Sequence, residues 1–553
     1  MPVAVSNAAV RLERTLLDGS RSMVATHTLA WRIDSMRCHV LLKTPRAPAL
    51  AAVLSIAVVH CAPTSAPDRV RIDTGELQGA VADSVASFKG IPYAAPPVDS
   101  LRWRPPQPVQ AWPGTRDATK YGALCMQDVN PNDNGVGPGP ASEDCLTLNV
   151  WTPVARGGAA LPVMVWIHGG GYVNGSGTAA LYDGTQLAKQ GVVVVTINYR
   201  LGRFGFFAHP ALTKENPDGL LGNYGLMDQI AALKWVRRNI GTFGGDSADV
   251  TIFGESAGGG SVLRLMISPM AKGLFEKAVV ESGLGRERMA RLDTTNAEGL
   301  RSAEAAGKAF MDALGDTSSD PAELRAMPAA DILSGGNPDL FAGGGPIIDG
   351  KVLTMDVDQA FKQGIEAKVP LIIGTNSLEF PVFNEDSPAF KEIVRFTPPQ
   401  RAQAIAVYGG LQQYREHIVS DLLFTEPARY LARQHAEHGQ PVYLYRFSVV
   451  SPSVRDRFKG AVHASERQYV FRTLGASPWP TSSGDSAVAR TMSAYWTTFA
   501  GAGDPNGDAR PDWPRYTLAG DSLLNFTNDG PVAEPVPDGK VLDFIAAYYG
   551  GRP

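Results

Sequence analysis

Apolar residues recur along this chain of 553 residues in two alternating rhythms. "LPVMVWIHGGG" (161–171) is a continuous apolar run that stops at glycines. "VVVVTINY" (192–199) is another, too uniformly apolar and β-branched for a strand with one wet face. Leu226, Ile230, Leu233, Val236 and Ile240 then fall three and four apart, one stripe of a helix. "DVTIF" (249–253), "KAVVESG" (277–283) and "VPLIIGTN" (369–376) repeat the strand-into-turn pattern. Buried strands alternating with amphipathic helices predict an α/β protein with a mostly parallel central sheet. Segments 68–150 and 396–520, richer in Pro, Gly and polar residues, read as decoration around that sheet. No linker marks off an independent domain, although length alone suggests three or four.

Charge narrows the partners. A net charge of −4 offers no basic field for nucleic acid or an anionic membrane, and no apolar run reaches the ~18–20 residues of a membrane span. Residues 1–66 differ from the rest. "LAAVLSIAVV" (50–59), preceded by Lys43 and Arg46 and followed by small residues and prolines, has the layout of a secretory signal. Its depth is most simply explained by a start at Met36, with 1–35 an extension; a disordered arm is the alternative. Lipid attachment at Cys61 fits less well, because bulky His60 precedes it. Cleavage near Ala62 predicts a secreted or periplasmic protein retaining only Cys125 and Cys145. In an oxidising compartment that pair predicts a disulfide worth ~3 kcal/mol in the chain-entropy model; two buried free thiols are the alternative.

The chemistry-bearing stretch is "FGESAGGG" (253–260). Ser256 is the one serine here in a Gly-x-Ser-x-Gly pattern, and it lies between an apolar strand and a helix start. That context is the one a nucleophile elbow requires: a sharp turn lifts the hydroxyl clear of the sheet. Gly254 and Gly258 are expected because side chains there would strike the neighbouring strand and helix. "HGGG" (168–171) supplies backbone that a substrate can approach, so the N–H groups of Gly170, Gly171 and Ala257 are candidate oxyanion donors. A base and an acid follow in the order Ser, Asp/Glu, His. Of nine histidines, His417, His435 and His438 sit among charges on apparent helices and read as solvated. His463 in "FKGAVHASERQYVF" is the candidate base. Glu379, just past a strand end, competes with Asp349 and Asp386 for the acid.

These stretches resemble the type B carboxylesterases, the group that includes cholinesterases and bacterial para-nitrobenzyl esterases. "SFKGIPYAAPPVDSLRWRPP" (87–106) and "SEDCLTLNVW" (142–151) resemble the family's signatures. "GNYGLMDQIAALKWVRRNIGTFGGDSADVTIFGESAGGGSV" (222–262) is similar almost throughout, and "YWTTFAGAGDPNGDARPDWPRY" (495–516) resembles its C-terminal stretch. The likeness covers roughly residues 68–545. It implies an α/β-hydrolase fold in a single domain, 67–553, with a large mostly parallel sheet, helices on both faces, and decorations forming a gorge. It further implies Ser256 as nucleophile, Glu379 as acid, His463 as base, and Gly170, Gly171 and Ala257 as oxyanion donors. Cys125 and Cys145 match the family's first disulfide, and Ser282 and Glu255 flank the triad.

Departures from the pattern refine the expectation. Phe380 stands where glycine usually follows the acid, and Ala464 where glycine often follows the histidine. The loop 126–144 has no aromatic residue, so a cation–π site for choline is absent. "DPNGDARPDWPR" (504–515) alternates aspartates, but Arg515 occupies the position where a calcium loop needs a bidentate glutamate. The expected activity is therefore hydrolysis of a small-molecule carboxylic ester through an acyl-enzyme, without metal or cofactor, by a monomer or dimer. An amide or carbamate hydrolase with the same triad is the alternative, and a non-catalytic binding module a further one. Arg286, Arg288 and Arg291, beyond Ser282, suggest either selection of carboxylated substrates or a solvated helix start.

Overall fold

Strands that are apolar on both faces must be covered on both faces, and this is how the sheet is built. The computed structural model describes residues 68–129, 133–155, 158–336, 345–380 and 385–551. The signal-like stretch 36–62, with Cys38 and Cys61, lies outside them. Eleven strands form the main sheet: β1 (Ala80–Ala82), β2 (Val85–Pro92), β3 (Thr147–Pro153), β4 (Leu161–Ile167), β5 (Val193–Ile197), β6 (Gly245–Glu255), β7 (Lys277–Glu281), β8 (Leu371–Asn376), β9 (Val442–Phe447), β10 (Ser522–Thr527) and β11 (Gly530–Pro535). Their order is β11-β10-β9-β8-β7-β6-β4-β5-β3-β2-β1. From β10 through to β5 all neighbours are parallel. The strands beyond, at either end, run antiparallel.

Alternate side chains of the central strands enter opposite layers. Val163, Val165, Ile167, Ile252 and Val280 pack with Leu226, Ile230, Leu233 and Val236 of α1 (Tyr224–Asn239) and Val262 of α2 (Ala257–Ile267). Met164, Trp166, Phe253, Val279 and Ile372 pack with Met492, Trp496 and Phe499 of α3 (Ser483–Ala502). The predicted stripe on α1 is the face that meets the sheet. Each such side chain contributes about 1.5–3 kcal/mol by leaving water. Among the described residues, no helix is long and apolar enough to cross a membrane.

Segments expected to be decoration supply four sheet strands, β1, β2, β3 and β9. In β3 the reason is a polar side chain satisfied inside the fold. Asn149 donates to the Gly177 carbonyl and Thr196 Oγ1 and accepts the Gly90 N–H, so "TLNVW" is buried despite its asparagine. In β9, "VYLYRF" is an aromatic strand whose rings pack against Trp496 and Trp513.

The strand order has one consequence for function. From β4 the chain moves to β5 on one side and then returns to β6 on the other. The gap between β4 and β6 is a topological switch point, where crevices open at the carboxyl ends of parallel strands.

Candidate active site

Both motifs singled out in the sequence stand at that switch point. β6 ends at Glu255 and α2 begins at Ala257, leaving Ser256 alone to make the turn, at φ 57° and ψ −123°. A left-handed φ is costly for a residue with a Cβ and persists only when the surroundings enforce it. Here the Ser256 N–H donates to the Glu281 carbonyl at 2.9 Å, and the Ser256 carbonyl accepts the Gly260 N–H at 2.8 Å. A Cβ on Gly254 would sit 2.6 Å from the Ile167 carbonyl oxygen, and one on Gly258 only 2.0 Å from it. Glycine is therefore required at both positions, because β4 passes directly beside the turn.

The loop after β4 lies against this elbow. Gly170 and Gly171 have φ of 100° and 61°, and the Gly170 carbonyl accepts N–H groups from Val173 and Asn174. A Cβ on Gly169 would come within 3.1 Å of Ser256 Cβ. Among the described residues the N–H groups of Gly170, Gly171 and Ala257 have no protein acceptor. His168 stiffens the loop. Its ring stacks on Tyr199 at 4.4 Å, the Tyr199 hydroxyl donates to its carbonyl, and burial holds its pKa down to about 4. The Cys125–Cys145 disulfide is formed. Gln127, two residues past Cys125, clasps Gly175 through both ends of its amide.

His463, Glu379 and Ser256 come together from three separate turns. Ser256 Oγ is 2.8 Å from His463 Nε2, and His463 Nδ1 is 2.7 Å from Glu379 Oε2. The two outer turns are stitched by backbone, with the His463 N–H donating to the Glu379 carbonyl and the Leu378 N–H to that of Ala461. Glu379 Oε1 accepts from the Asn376 N–H at 2.7 Å and from Ser282 Oγ at 2.6 Å. A hydroxyl bonded to an imidazole, itself fixed by a buried carboxylate, can pass its proton to that imidazole as the oxygen attacks a carbonyl.

The other candidates lie elsewhere. Asp349 accepts three amides of its own turn, and Asp386 is exposed. His435, expected on a solvated face, is fully buried between Glu366 and the Val369 carbonyl. Helix Glu426–Glu437 packs that face inward. Arg286 and Arg288 are also not solvated. Arg286 pairs with Glu426 and stacks on Tyr430 and Tyr549, while Arg288 binds Asp358. Arg291 is exposed.

Several buried carboxylates cluster near the imidazole. Glu255 Oε1 lies 3.3 Å from His463 Nε2, and its Oε2 lies 3.9 Å from Arg467. Burial pushes Glu255 above the usual carboxylate range. Glu466 accepts from Asn376 Nδ2 at 2.7 Å. Burial first, then Glu255 and Glu379, raises it to about 8. Glu281 takes the Trp496 N–H and is raised well above its ordinary value by burial and by Glu466. Burial draws the His463 pKa down, but Glu255 and Glu379 outweigh it and hold the imidazole up at about 9. The aromatic rings of Phe380 and Phe424 flank the imidazole at 4.9 and 5.0 Å. Sequence reasoning had not singled out Glu281, Glu466, Asn376, Arg467 or Phe424. Only Asn376 and Glu466 left a signal, three residues from Glu379 and His463.

Comparison with known proteins identifies the family. The model of the carboxylesterase family matches residues 66–408 and 408–536. Fumonisin B1 esterase of Sphingopyxis macrogoltabida is 38% identical over 84% of this chain and 88% of its own length. Para-nitrobenzyl esterase of Bacillus subtilis (strain 168) is 36% identical over 82% and 95%. A solved para-nitrobenzyl esterase structure superposes with a TM-score of 0.75 at 34% identity, covering 87% of this chain and 100% of the other. The family model and these relatives extend over most of the chain, and the protein belongs to the carboxylesterase family, an ester hydrolase with the α/β-hydrolase fold.

Proposed function

We propose that the protein hydrolyses carboxylic esters of small molecules in two steps, with Ser256 as nucleophile, His463 as general base and acid, and Glu379 as the carboxylate that orients it. The observation that carries this reading is the continuous chain Ser256 Oγ–His463 Nε2, His463 Nδ1–Glu379 Oε2 at 2.8 and 2.7 Å, set beside backbone N–H groups that have no acceptor among the described residues. As Ser256 Oγ bonds to the carbonyl carbon, its proton passes to His463 Nε2. Negative charge on the carbonyl oxygen is received by the N–H groups of Gly170, Gly171 and Ala257, each essential donor contributing roughly 3–4 kcal/mol. His463 then protonates the departing alcohol oxygen, leaving an acyl-serine. Water gives its proton to His463, attacks the acyl carbon and releases the acid.

Glu255 supports the imidazolium formed in each step, and Ser282 and Asn376 keep Glu379 in place. Neutral esters are the proposed substrates, because Arg286 and Arg288 already hold protein carboxylates. Choline esters are excluded from the preferred set by the lack of aromatics in 126–144. Residues 36–62 act as an export signal for a single catalytic domain, 67–553, consistent with the disulfide; N-terminal sequencing of the secreted form tests this.

The direct test is hydrolysis of p-nitrophenyl butyrate by the purified protein and by Ser256→Ala. Turnover that the substitution abolishes is the expected result. Equal turnover in both proteins refutes the assignment of Ser256, and matched ester and amide substrates decide between ester and amide hydrolysis.

A further inference from the structure

Arg264 sits in the last turn of α2 and is only 1% exposed. Arginine is almost never buried so fully unless its charge is paired, and its partners account for the burial. Nη1 donates to the Tyr172 hydroxyl at 3.1 Å and to the Gly260 carbonyl at 2.9 Å. Nη2 donates to the Glu287 carboxylate. The three partners stand beside three different parts of the site. Tyr172 directly follows Gly171 in the loop after β4, and Gly260 lies one turn beyond Ser256 on α2. Glu287 lies shortly past Ser282, whose hydroxyl holds Glu379. The planar fork of donors lets one side chain reach all three in a fixed geometry.

Tyr172 is the residue that needs restraint. Its φ is 63°, a left-handed conformation that a residue with a Cβ keeps only when its surroundings enforce it. The Tyr172 carbonyl accepts the Gly202 N–H at 2.7 Å. At the other end, the polar contacts of the hydroxyl, Arg264 and Ser261, both belong to α2. The sequence makes room for this meeting. A Cβ on Gly260 would lie 2.9 Å from both Arg264 Nη1 and the Tyr172 hydroxyl oxygen. The third glycine of "GGG" (258–260) therefore serves the contact between loop and helix, whereas Gly258 serves the elbow.

We infer that Arg264 is a positioning residue for the hydrolysis: through Tyr172 it locks the glycine loop onto the helix that begins at the nucleophile. The inference rests on the proposed role of Ser256 and of the Gly170, Gly171 and Ala257 N–H groups. Two of those donors precede Tyr172 and the third opens α2, so the three converge on one oxygen only while loop and helix keep their spacing. An ion pair serving stability alone would need Glu287 and nothing more. The bond to Tyr172 adds a tie between the two segments that carry the donors. Arg264 acts on the oxyanion through this tie and does not touch substrate.

The test compares the full chain with Tyr172→Phe, Arg264→Met, Arg264→Lys and the double variant Tyr172→Phe/Arg264→Met. Two readouts accompany p-nitrophenyl butyrate kinetics: inhibition by an alkyl trifluoromethyl ketone and by the methyl ketone of the same chain length. With the first, Ser256 Oγ bonds to the carbonyl carbon, its proton passes to His463, and the carbonyl oxygen becomes an oxyanion. The second binds without adding to the serine. Tyr172→Phe and Arg264→Met are each expected to lower kcat and trifluoromethyl ketone affinity in parallel, about tenfold, with KM and methyl ketone affinity nearly unchanged. Arg264→Lys should regain part of the loss, and the double variant should fall no further than Arg264→Met. Tyr172→Phe removes a single oxygen and carries the test where Arg264→Met does not fold. Wild-type kcat and trifluoromethyl ketone affinity in a variant with a native circular-dichroism spectrum overturn the inference, even where its melting temperature falls. Equal losses for the two ketones overturn it too. Wild-type protein that neither hydrolyses the ester nor binds the trifluoromethyl ketone overturns instead the Ser256 reading beneath it.

Discussion

Replacing Glu255 with glutamine keeps the side-chain shape but removes a charge 3.3 Å from His463 Nε2. At that distance, with an effective dielectric constant near 20, the attraction for an imidazolium is on the order of 5 kcal/mol. Two features of the site reduce it. Arg467, 3.9 Å from the other carboxylate oxygen, cancels part of the field, and burial, by raising the Glu255 pKa, lowers its average charge. A net loss of about 1.4 kcal/mol, or one pH unit, is the working value. The sign follows from the protonation states. Glu255 favours the charged imidazole, so its removal lowers the His463 pKa, and the acid limb of kcat/KM moves down by about one unit. The transition state also contains an imidazolium and loses the same support, so the plateau falls about tenfold. At low pH the resting enzyme and the transition state are both charged at His463, and the two profiles converge. Stopped-flow or plate assays of p-nitrophenyl butyrate hydrolysis from pH 5 to 10.5, a range that brackets an imidazole held at about 9, measure this. A lowered plateau with an unmoved or raised acid limb refutes the claim that Glu255 acts through charge on His463.

Other substitutions probe the scaffold. Gly258→Ala drives a methyl to 2.0 Å from the Ile167 carbonyl oxygen. It is expected to cost about 1–3 kcal/mol in thermal or urea unfolding. It should also lower kcat/KM by about 10²-fold, since relief of the clash moves Gly170 and Gly171 away from Ser256. Phe380→Gly removes a ring packed 4.9 Å from the imidazole; kcat should fall about tenfold with KM little changed, because a loosened base leaves its near-attack position. Urea unfolding of Cys125→Ser/Cys145→Ser should show a loss of about 3 kcal/mol for a loop closed across 20 residues. Activity of that variant below its midpoint should fall less than stability, because Gln127 still holds Gly175 through two hydrogen bonds.

The elbow and the glycine loop were legible because their determinants are local. A strand, a serine that must take a left-handed φ, and glycines where no Cβ fits occupy a few consecutive residues. The stripe on α1 was legible for the same reason, since helical periodicity records which face is buried. Glu379, Asp349 and Asp386 could not be ranked by residue type alone. Which carboxylate reaches His463 depends on β8 lying beside β9, in the register Asn376 to Phe447, so that the turns after both strands meet. His435 and Arg286 misled for the complementary reason: charged neighbours in sequence suggest solvent, but partners distant in sequence, Glu366 for one and Glu426 for the other, make burial tolerable. The convergence of Glu255 and Glu466 on one imidazole, with Glu281 beside them, is likewise invisible along the chain. Sequence thus determined the turns and buried faces, which short-range sterics and solvation decide. The tertiary structure alone decided which charges face one another, because Coulomb interactions depend on distances that only the order and register of the strands set.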